Sequence, residues 1–262
     1  MRMEWAGQPA DVREIGSGTP IVLVHGYPLD GAMWSGVARA LSARFRVLKP
    51  DLPGRRNTEA PAPDSIEGYA DFLEVIVAGL EGPVGLAGFS FGGYICMAYL
   101  KRGAEKVRAA AFVDTRAVAD DDAGRNKRDE TIAAVRSNGV APVMESMPAR
   151  LLSPESFAKR DLLERVQRII SRQKPETLEA DLVAMRDRPD SSGFLAKISI
   201  PTLVVVGERD VIAPPADSEA MAAAIPGARL VTIPGAGHLT PMERPKAVSG
   251  ALDEFFGSAL SA

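Results

Sequence analysis

Cysteine is almost missing from this chain. Cys96 is the only one in 262 residues, so an internal disulfide is impossible and there is no CxxC redox or metal motif. That pattern suits a reducing compartment. Histidine is nearly as scarce, with only His25 and His238, and no His/Asp/Glu cluster has the spacing of a catalytic metal site. Neither GxGxxG nor GxxxxGK occurs, so no glycine-rich cradle awaits a nucleotide and no cofactor is expected. No sign of charge dominates. The 31 basic and 34 acidic side chains leave a net charge of −3, which recruits neither nucleic acid nor an anionic membrane. Long apolar runs are absent as well, and the LVVV before Gly207 is far too short to span a bilayer. The opening MRMEWAGQPADVREIGSGTP carries acids and prolines where a signal peptide needs an unbroken apolar stretch. A soluble, cytoplasmic protein is expected, and nothing in the sequence speaks to its oligomeric state.

What remains is ordinary globular material, 46% hydrophobic and 25% charged, long enough for one large domain or a domain carrying an insertion. Short β-rich runs alternate with longer helical patterns. That alternation marks an α/β fold, a mostly parallel sheet with helices on both faces. The expected strands are Pro20 to Val24, Phe45 to Lys49, Val84 to Ala87, Val107 to Val113, Thr202 to Val206 and Ala228 to Ile233. Met3 to Ile15 supplies one or two antiparallel edge strands. Expected helices cover Gly31 to Ala43, Asp64 to Leu80, Phe91 to Arg102, Asp217 to Ala224 and Pro245 to Phe256. Asp64 with Glu67 reads as a capping box, and Pro245 suits a first helical position.

Residues 116–190 break the rhythm. They hold 14 basic and 14 acidic side chains in 75 residues, with no strand pattern. Leu163, Val166, Ile169 and Ile170 recur at helical spacing, as do Leu178, Leu182 and Met185. This predicts a helical insertion, apolar face down and charges outward, between core segments 1–115 and 191–262. For any single charged residue here, solvating a surface helix is the simpler reading.

Gly88-Phe89-Ser90-Phe91-Gly92 matches GxSxG, and its setting gives it meaning. It follows a strand directly and opens a helical run, the context of a nucleophile elbow. A chain that reverses sharply there, holding one side chain above the sheet, has no room for bulk two residues either side. Gly88 and Gly92 supply that room, and Gly93 lets the helix pack closely. Ser90 would stand at a helix N-terminus, where free N–H groups favour negative charge. A serine hydroxyl needs a base. His238 follows the last strand in a glycine-rich loop, whereas His25, before Gly26, reads as part of a tight turn. The base in turn needs a carboxylate. Asp210, between a strand end and the stiff Ala213-Pro214-Pro215, is preferred. Asp114 at the end of the preceding strand could replace it, while Glu208 shares the loop but points elsewhere and Asp51 reads as structural. Two N–H groups are required for an oxyanion. Phe91, after the serine, and Tyr27, in His25-Gly26-Tyr27-Pro28, are the natural donors, since Pro28 has none. Trp34, Met97, Met144 and Met147 are candidates to line the substrate pocket, with core packing the alternative for each.

With HGYP, GFSFGG, GERD and GAGH in the order Ser, Asp, His, the chain resembles the α/β-hydrolase family over nearly its whole length. It is similar to 3-oxoadipate enol-lactonase-like carboxylesterases and cofactor-free haloperoxidase-like esterases. The resemblance implies triad roles for Ser90, Asp210 and His238, oxyanion roles for Tyr27 and Phe91, and a helical cap at 116–190. Serine at the elbow argues against the carboxylate-nucleophile chemistry of dehalogenases and epoxide hydrolases. The sequence departs from many relatives where Asp51-Leu52-Pro53-Gly54 is followed by Arg55-Arg56-Asn57-Thr58. The expected activity is hydrolysis of a small-molecule carboxylic ester or lactone. Carbon–carbon hydrolysis, perhydrolysis or cyanohydrin cleavage by the same triad, or a ligand receptor on this scaffold, are the rivals.

Overall fold

Every residue of β4 (Pro20–Val24), β6 (Val84–Phe89) and β8 (Thr202–Gly207) is buried, as continuous apolar runs require when helices cover both faces of a parallel sheet. The structure, a computed structural model, describes residues 1–56 and 58–260. Asn57, in the loop that departs from many relatives, lies outside them. Among the described residues the main sheet has seven strands in the order β3-β5-β4-β6-β7-β8-β9, completed by β3 (Arg13–Ile15), β5 (Arg46–Lys49), β7 (Val107–Val113) and β9 (Arg229–Ile233). All neighbours are parallel except β3 with β5. The N-terminal segment thus supplies one antiparallel edge strand, within the one or two expected. β1 (Arg2–Trp5) and β2 (Gln8–Asp11) form a separate hairpin, and only β3 joins the sheet edge.

The chain steps from β4 outward to β5, then returns to β6 on the other side of β4. That reversal opens a crevice at the carboxyl ends of β4 and β6, where ligands of such sheets bind. Register sets Val24 opposite Gly88 and Phe89 opposite Val113. The residues leaving these strands, His25, Ser90 and Asp114, thus emerge side by side.

Helices flank the sheet. A 3-10 turn at Gly31–Trp34 precedes α1 (Ser35–Leu41). α2 (Ile66–Ala78) buries Ile66, Tyr69, Ala70, Phe72, Leu73, Ile76 and Val77 at spacings of three and four, each large one worth about 1.5–3 kcal/mol over exposure. Its cap is Ser65, whose hydroxyl accepts from Gly68 N, and not Asp64. α3 (Phe91–Leu100) is nearly all buried beneath β4 and β6. Between β7 and β8 the elements are all helices, joined by turns: α4 (Asp122–Asn138), α5 (Ala141–Leu151), α6 (Pro154–Phe157), α7 (Arg160–Ile170), α8 (Pro175–Arg186) and α9 (Ser192–Leu195). In α7 it is Leu162, not Leu163, that joins Val166, Ile169 and Ile170 in burial. α8 buries Leu178, Leu182 and Met185. α10 (Pro215–Ala224), α11 (Thr240–Glu243) and α12 (Pro245–Ala259) complete the chain, with Pro245 at the first turn of α12.

The helical segment is tied to the core by charge as well as apolar packing. Arg55 is wholly buried, donating from Nε to Leu29 O at 2.9 Å and from Nη1 to Pro53 O at 3.3 Å. Its Nη2 and the Tyr69 hydroxyl both donate to the Asp181 carboxylate of α8. Arg172, after α7, clamps Asp30 through two hydrogen bonds of 2.6 and 2.8 Å. The unusual residue after DLPG is therefore a strut between the Leu29 loop and α8.

Candidate active site

Ser90 sits at the crest between β6 and α3 with φ +50° and ψ −115°, a conformation that costs of order 1–3 kcal/mol and persists only where surroundings over-determine it. Ser90 N donates to Val113 O at 2.9 Å, and Ser90 O accepts from Gly93 N and Thr115 Oγ1, each at 2.8 Å. A Cβ on Gly88 would collide with Gly92 O, and one on Gly92 would collide with Val24 O. The turn closes only because both lack side chains. Gly93 approaches Thr115 as closely, its absent Cβ falling against Oγ1.

His238 arrives from the loop after β9. Gly207 and Gly237 let that loop cross the end of β8, since a Cβ on Gly207 would overlap Gly237 O. His238 Nε2 is 2.9 Å from Ser90 Oγ, and Nδ1 is 2.7 Å from Asp210 Oδ2. The second Asp210 oxygen accepts from Ile212 N at 2.8 Å and Ala213 N at 2.9 Å. Those two amides fix the carboxylate plane. An ionised acceptor at Nδ1 selects the tautomer with hydrogen there, which leaves the Nε2 lone pair facing the serine hydroxyl. Asp210 and His238 are buried, and Phe89 lies against the imidazole, ring centroids 5.1 Å apart.

The other titratable candidates stand apart from this chain of bonds. Asp114, at φ +47°, accepts from Gly207 N at 2.9 Å and from Thr240 Oγ1 at 2.5 Å. Complete burial, followed by the charge of Asp210, holds its carboxyl well above the usual range. It braces the strand ends and does not bond to His238. Glu208 accepts from Gly235 N at 2.8 Å, and Asp51 accepts from Gly31 N at 2.9 Å. His25 is buried, with Nε2 accepting from Leu52 N at 3.0 Å and Nδ1 3.1 Å from Gly26 O. Burial first, then the nearby Arg55 charge, pushes its pKa down to about 3. It is a neutral strut.

Among the described residues, the amides of Tyr27 and Phe91 take no part in the loop and turn hydrogen bonds around the elbow. Phe91 is buried with its ring edge-on to Tyr69 at 5.0 Å. Tyr27 precedes a cis Pro28 and borders the cavity over Ser90. That cavity has a volume of about 490 Å³ and is bounded by Ser90, His238 and the helices between β7 and β8, a size that suits a small organic ligand. Met147 lines it, together with Val143, Leu182 and Met185. Three pocket expectations need correction. Trp34 and Met97 are buried in the core, Trp34 edge-on to Phe89, because both lie under the sheet crest. Met144 lies one helical turn from Met147 and packs on the core from a half-buried position.

Sequence reasoning missed Glu243. Its Oε2 accepts from Ser153 N at 3.0 Å and Ser153 Oγ at 2.6 Å, and its Oε1 from Gly237 N at 2.9 Å. Leu239 N donates to Leu151 O at 2.8 Å. One buried carboxylate thus holds the His238 loop against the α5–α6 junction. No motif announces such a residue, for its partners lie 6 and 90 positions away. Among the described residues no group of His, Cys, Asp and Glu could hold a metal, and no helix is long and apolar enough to cross a membrane.

Residues 21–251 match the family described as Alpha/beta hydrolase family. A solved thermophilic esterase from Thermogutta terrifontis is 34% identical with a TM-score of 0.93, covering 99% of both chains. An enol-lactonase from Burkholderia xenovorans LB400 is 25% identical with a TM-score of 0.89, covering 98% of this chain and 100% of its own. In sequence, the chain is 28% identical over 250 residues to the pimeloyl-[acyl-carrier protein] methyl ester esterase of Nitrosomonas europaea, covering 92% of this chain and 97% of that relative.

Proposed function

The chain belongs to the alpha/beta hydrolase family, and from that premise we propose that it hydrolyses a small-molecule carboxylic ester or lactone through an acyl-enzyme on Ser90. The observation that carries this reading is the unbroken relay from Ser90 Oγ to His238 Nε2 at 2.9 Å and from His238 Nδ1 to Asp210 at 2.7 Å. Ser90 Oγ attacks the carbonyl carbon while His238 Nε2 takes its proton. Asp210 holds the ring and stabilises the imidazolium. The tetrahedral oxyanion receives the Tyr27 and Phe91 amides, each worth about 3 kcal/mol in such sites. Collapse expels the alcohol, to which His238 returns the proton. Water then adds by the reverse route and frees Ser90. In a lactone the leaving alcohol stays tethered to the acyl group, and the steps are otherwise unchanged.

The helical segment, residues 116–190, is read as the cap that roofs the pocket. The names of the relatives favour the same reading, since they are a methyl ester esterase, an enol-lactonase and an esterase. The deciding experiment is intact-mass detection of a phosphonate adduct. The protein should gain one phosphonyl group from an uncharged alkyl phosphonate ester, and Ser90→Ala should gain none. An unmodified wild-type mass, or equal labelling of the variant, refutes the assignment.

A further inference from the structure

His238 is held on both sides by a segment that carries no part of the triad. Leu239 N donates to Leu151 O at 2.8 Å, so the residue after the base is tied to the end of α5. The residue before it, Gly237, runs so close to the Leu152–Ser153 backbone that a Cβ there would collide with Ser153 N. Gly237 N donates to Glu243 Oε1 at 2.9 Å. The other oxygen of Glu243 accepts from Ser153 N at 3.0 Å and Ser153 Oγ at 2.6 Å. That same hydroxyl caps α6, accepting from Ser156 N at 3.3 Å.

Other ties cross this seam, and their exposure ranks them. Glu155 of α6 meets Arg209, the neighbour of Asp210, at 3.0 Å and Arg244 at 3.7 Å. All three side chains are partly exposed, and such pairs contribute little. Glu243 is buried, so water does not compete for its three bonds and losing any of them strands a polar group. It is the pin. The α5 helix also faces the cavity over Ser90, which Val143, Ser146, Met147 and Arg150 line. Among the described residues Ser153 and Glu243 are not part of that lining. The helix that walls the cavity thus ends in the mount of the base.

We propose that Glu243 is a positioning residue for the base, making the seat of His238 part of the helical segment through Ser153. Nε2 takes the hydrogen of Ser90 Oγ as the bond from Oγ to the carbonyl carbon forms. It then delivers that proton to the alcohol oxygen as the ester C–O bond breaks. The first transfer follows a hydrogen bond already made at 2.9 Å. The second runs to an atom of the substrate, so it depends on how the loop and the cavity wall are set against each other. A misplacement of about 1 Å in such a site costs ~100-fold. This rests on the hydrolase reading above and concerns the machinery of the same site.

Glu243→Gln keeps the shape and breaks the pin. Glutamine accepts at one end and donates at the other, so its NH2 must meet either Gly237 N–H or Ser153 N–H. The test compares kcat/KM for ethyl butanoate and p-nitrophenyl butanoate, which share an acyl group and differ in the leaving alcohol. Ethanol needs the proton from His238 to depart, whereas p-nitrophenolate leaves without it. Rates are divided by the fraction of protein that takes up one phosphonyl group, which removes unfolded molecules from the count. Glu243→Gln should lose about tenfold or more on the ethyl ester and several-fold less on the nitrophenyl ester. Ser153→Ala, a gentler change outside the cavity, should move the ratio in the same direction by a smaller factor. Phosphonylation of Ser90, which needs the base, should slow in Glu243→Gln. Leu252→Ala opens a void in the buried face of α12 and lowers stability by another route, so its ratio should equal that of wild type. A wild-type ratio in Glu243→Gln or in Ser153→Ala, an equal shift in Leu252→Ala, or an unaltered phosphonylation rate overturns the positioning role and leaves the hydrolase reading intact. No adduct on wild-type Ser90 overturns both.

Discussion

Replacing Asp210 by Asn probes which of two buried acids serves His238. In the native arrangement one Asp210 oxygen accepts from the amides of Ile212 and Ala213 and the other faces His238 Nδ1 at 2.7 Å. The substituted carboxamide would keep its carbonyl oxygen on the two amides, since only that end can accept them. Its NH2 group would then face Nδ1 and drive the ring hydrogen to Nε2. A donor would meet the Ser90 hydroxyl where an acceptor is needed. The same exchange in a serine triad costs ~10⁴ in kcat, or about 5 kcal/mol. Asp114→Asn is the control. Burial and the charge of Asp210 hold that carboxyl well above the usual range. Its bonds run to Gly207 and Thr240 rather than the imidazole. We expect less than a tenfold change in kcat from Asp114→Asn. Steady-state hydrolysis of a short p-nitrophenyl ester by the two variants, with circular dichroism to check folding, decides the matter. Asp210→Asn retaining activity within tenfold of wild type, or Asp114→Asn losing as much as Asp210→Asn, would refute the assignment.

Two further outcomes concern stability. His25 has its pKa pushed down to about 3 by burial and the Arg55 charge, against about 6.5 in an unfolded chain. The unfolded state therefore takes up a proton first on acidification. The stability this group contributes is present above about pH 6.5 and is lost as pH falls toward 3. The slope it adds approaches about 1.4 kcal/mol per pH unit, and urea titrations of His25→Asn should show a flatter decline over that window. Asp181→Asn leaves the buried Arg55 guanidinium without its counter-charge, and removing one partner of such a pair costs about 3–5 kcal/mol. The urea midpoint should drop accordingly, and an unchanged midpoint would show the pair to be dispensable.

How much of the site could be read from residues alone follows from the range of the forces involved. The elbow was legible because its constraint is local. Gly88 and Gly92 are required by contacts a few residues away or across an adjoining strand, and a strand–turn–helix pattern brackets them. The strand ends carrying Asp210 and His238 were legible for a related reason, since continuous apolar runs announce buried parallel strands and the chemistry sits where each run stops. The close crossing that Gly207 and Gly237 permit is displayed only by the fold. The N-cap of α2 was misplaced by one residue, because Asp64 and Ser65 are both good caps and only the backbone turn chooses between them. Trp34, Met97 and Met144 were credible pocket residues by type, but a large apolar side chain fits a core as readily as a cavity.

Residue order alone was enough for the α/β architecture, the places where chemistry could sit and the small number of groups able to perform it. Two histidines and one GxSxG left few combinations. Which carboxylate meets His238 was settled by folding, since Asp114 and Asp210 both end strands of one sheet and their separation from the imidazole depends on backbone turns. The roles of Arg55 and Glu243 emerged in the same way. Each satisfies partners far away in the chain, and buried hydrogen bonding, unlike apolar periodicity, leaves no repeating trace in a sequence. The cluster of Arg116, Arg128 and Arg188 around Asp120 is a third such case, because residues 116–190 are balanced in charge by composition and only folding gathers three arginines around one carboxylate.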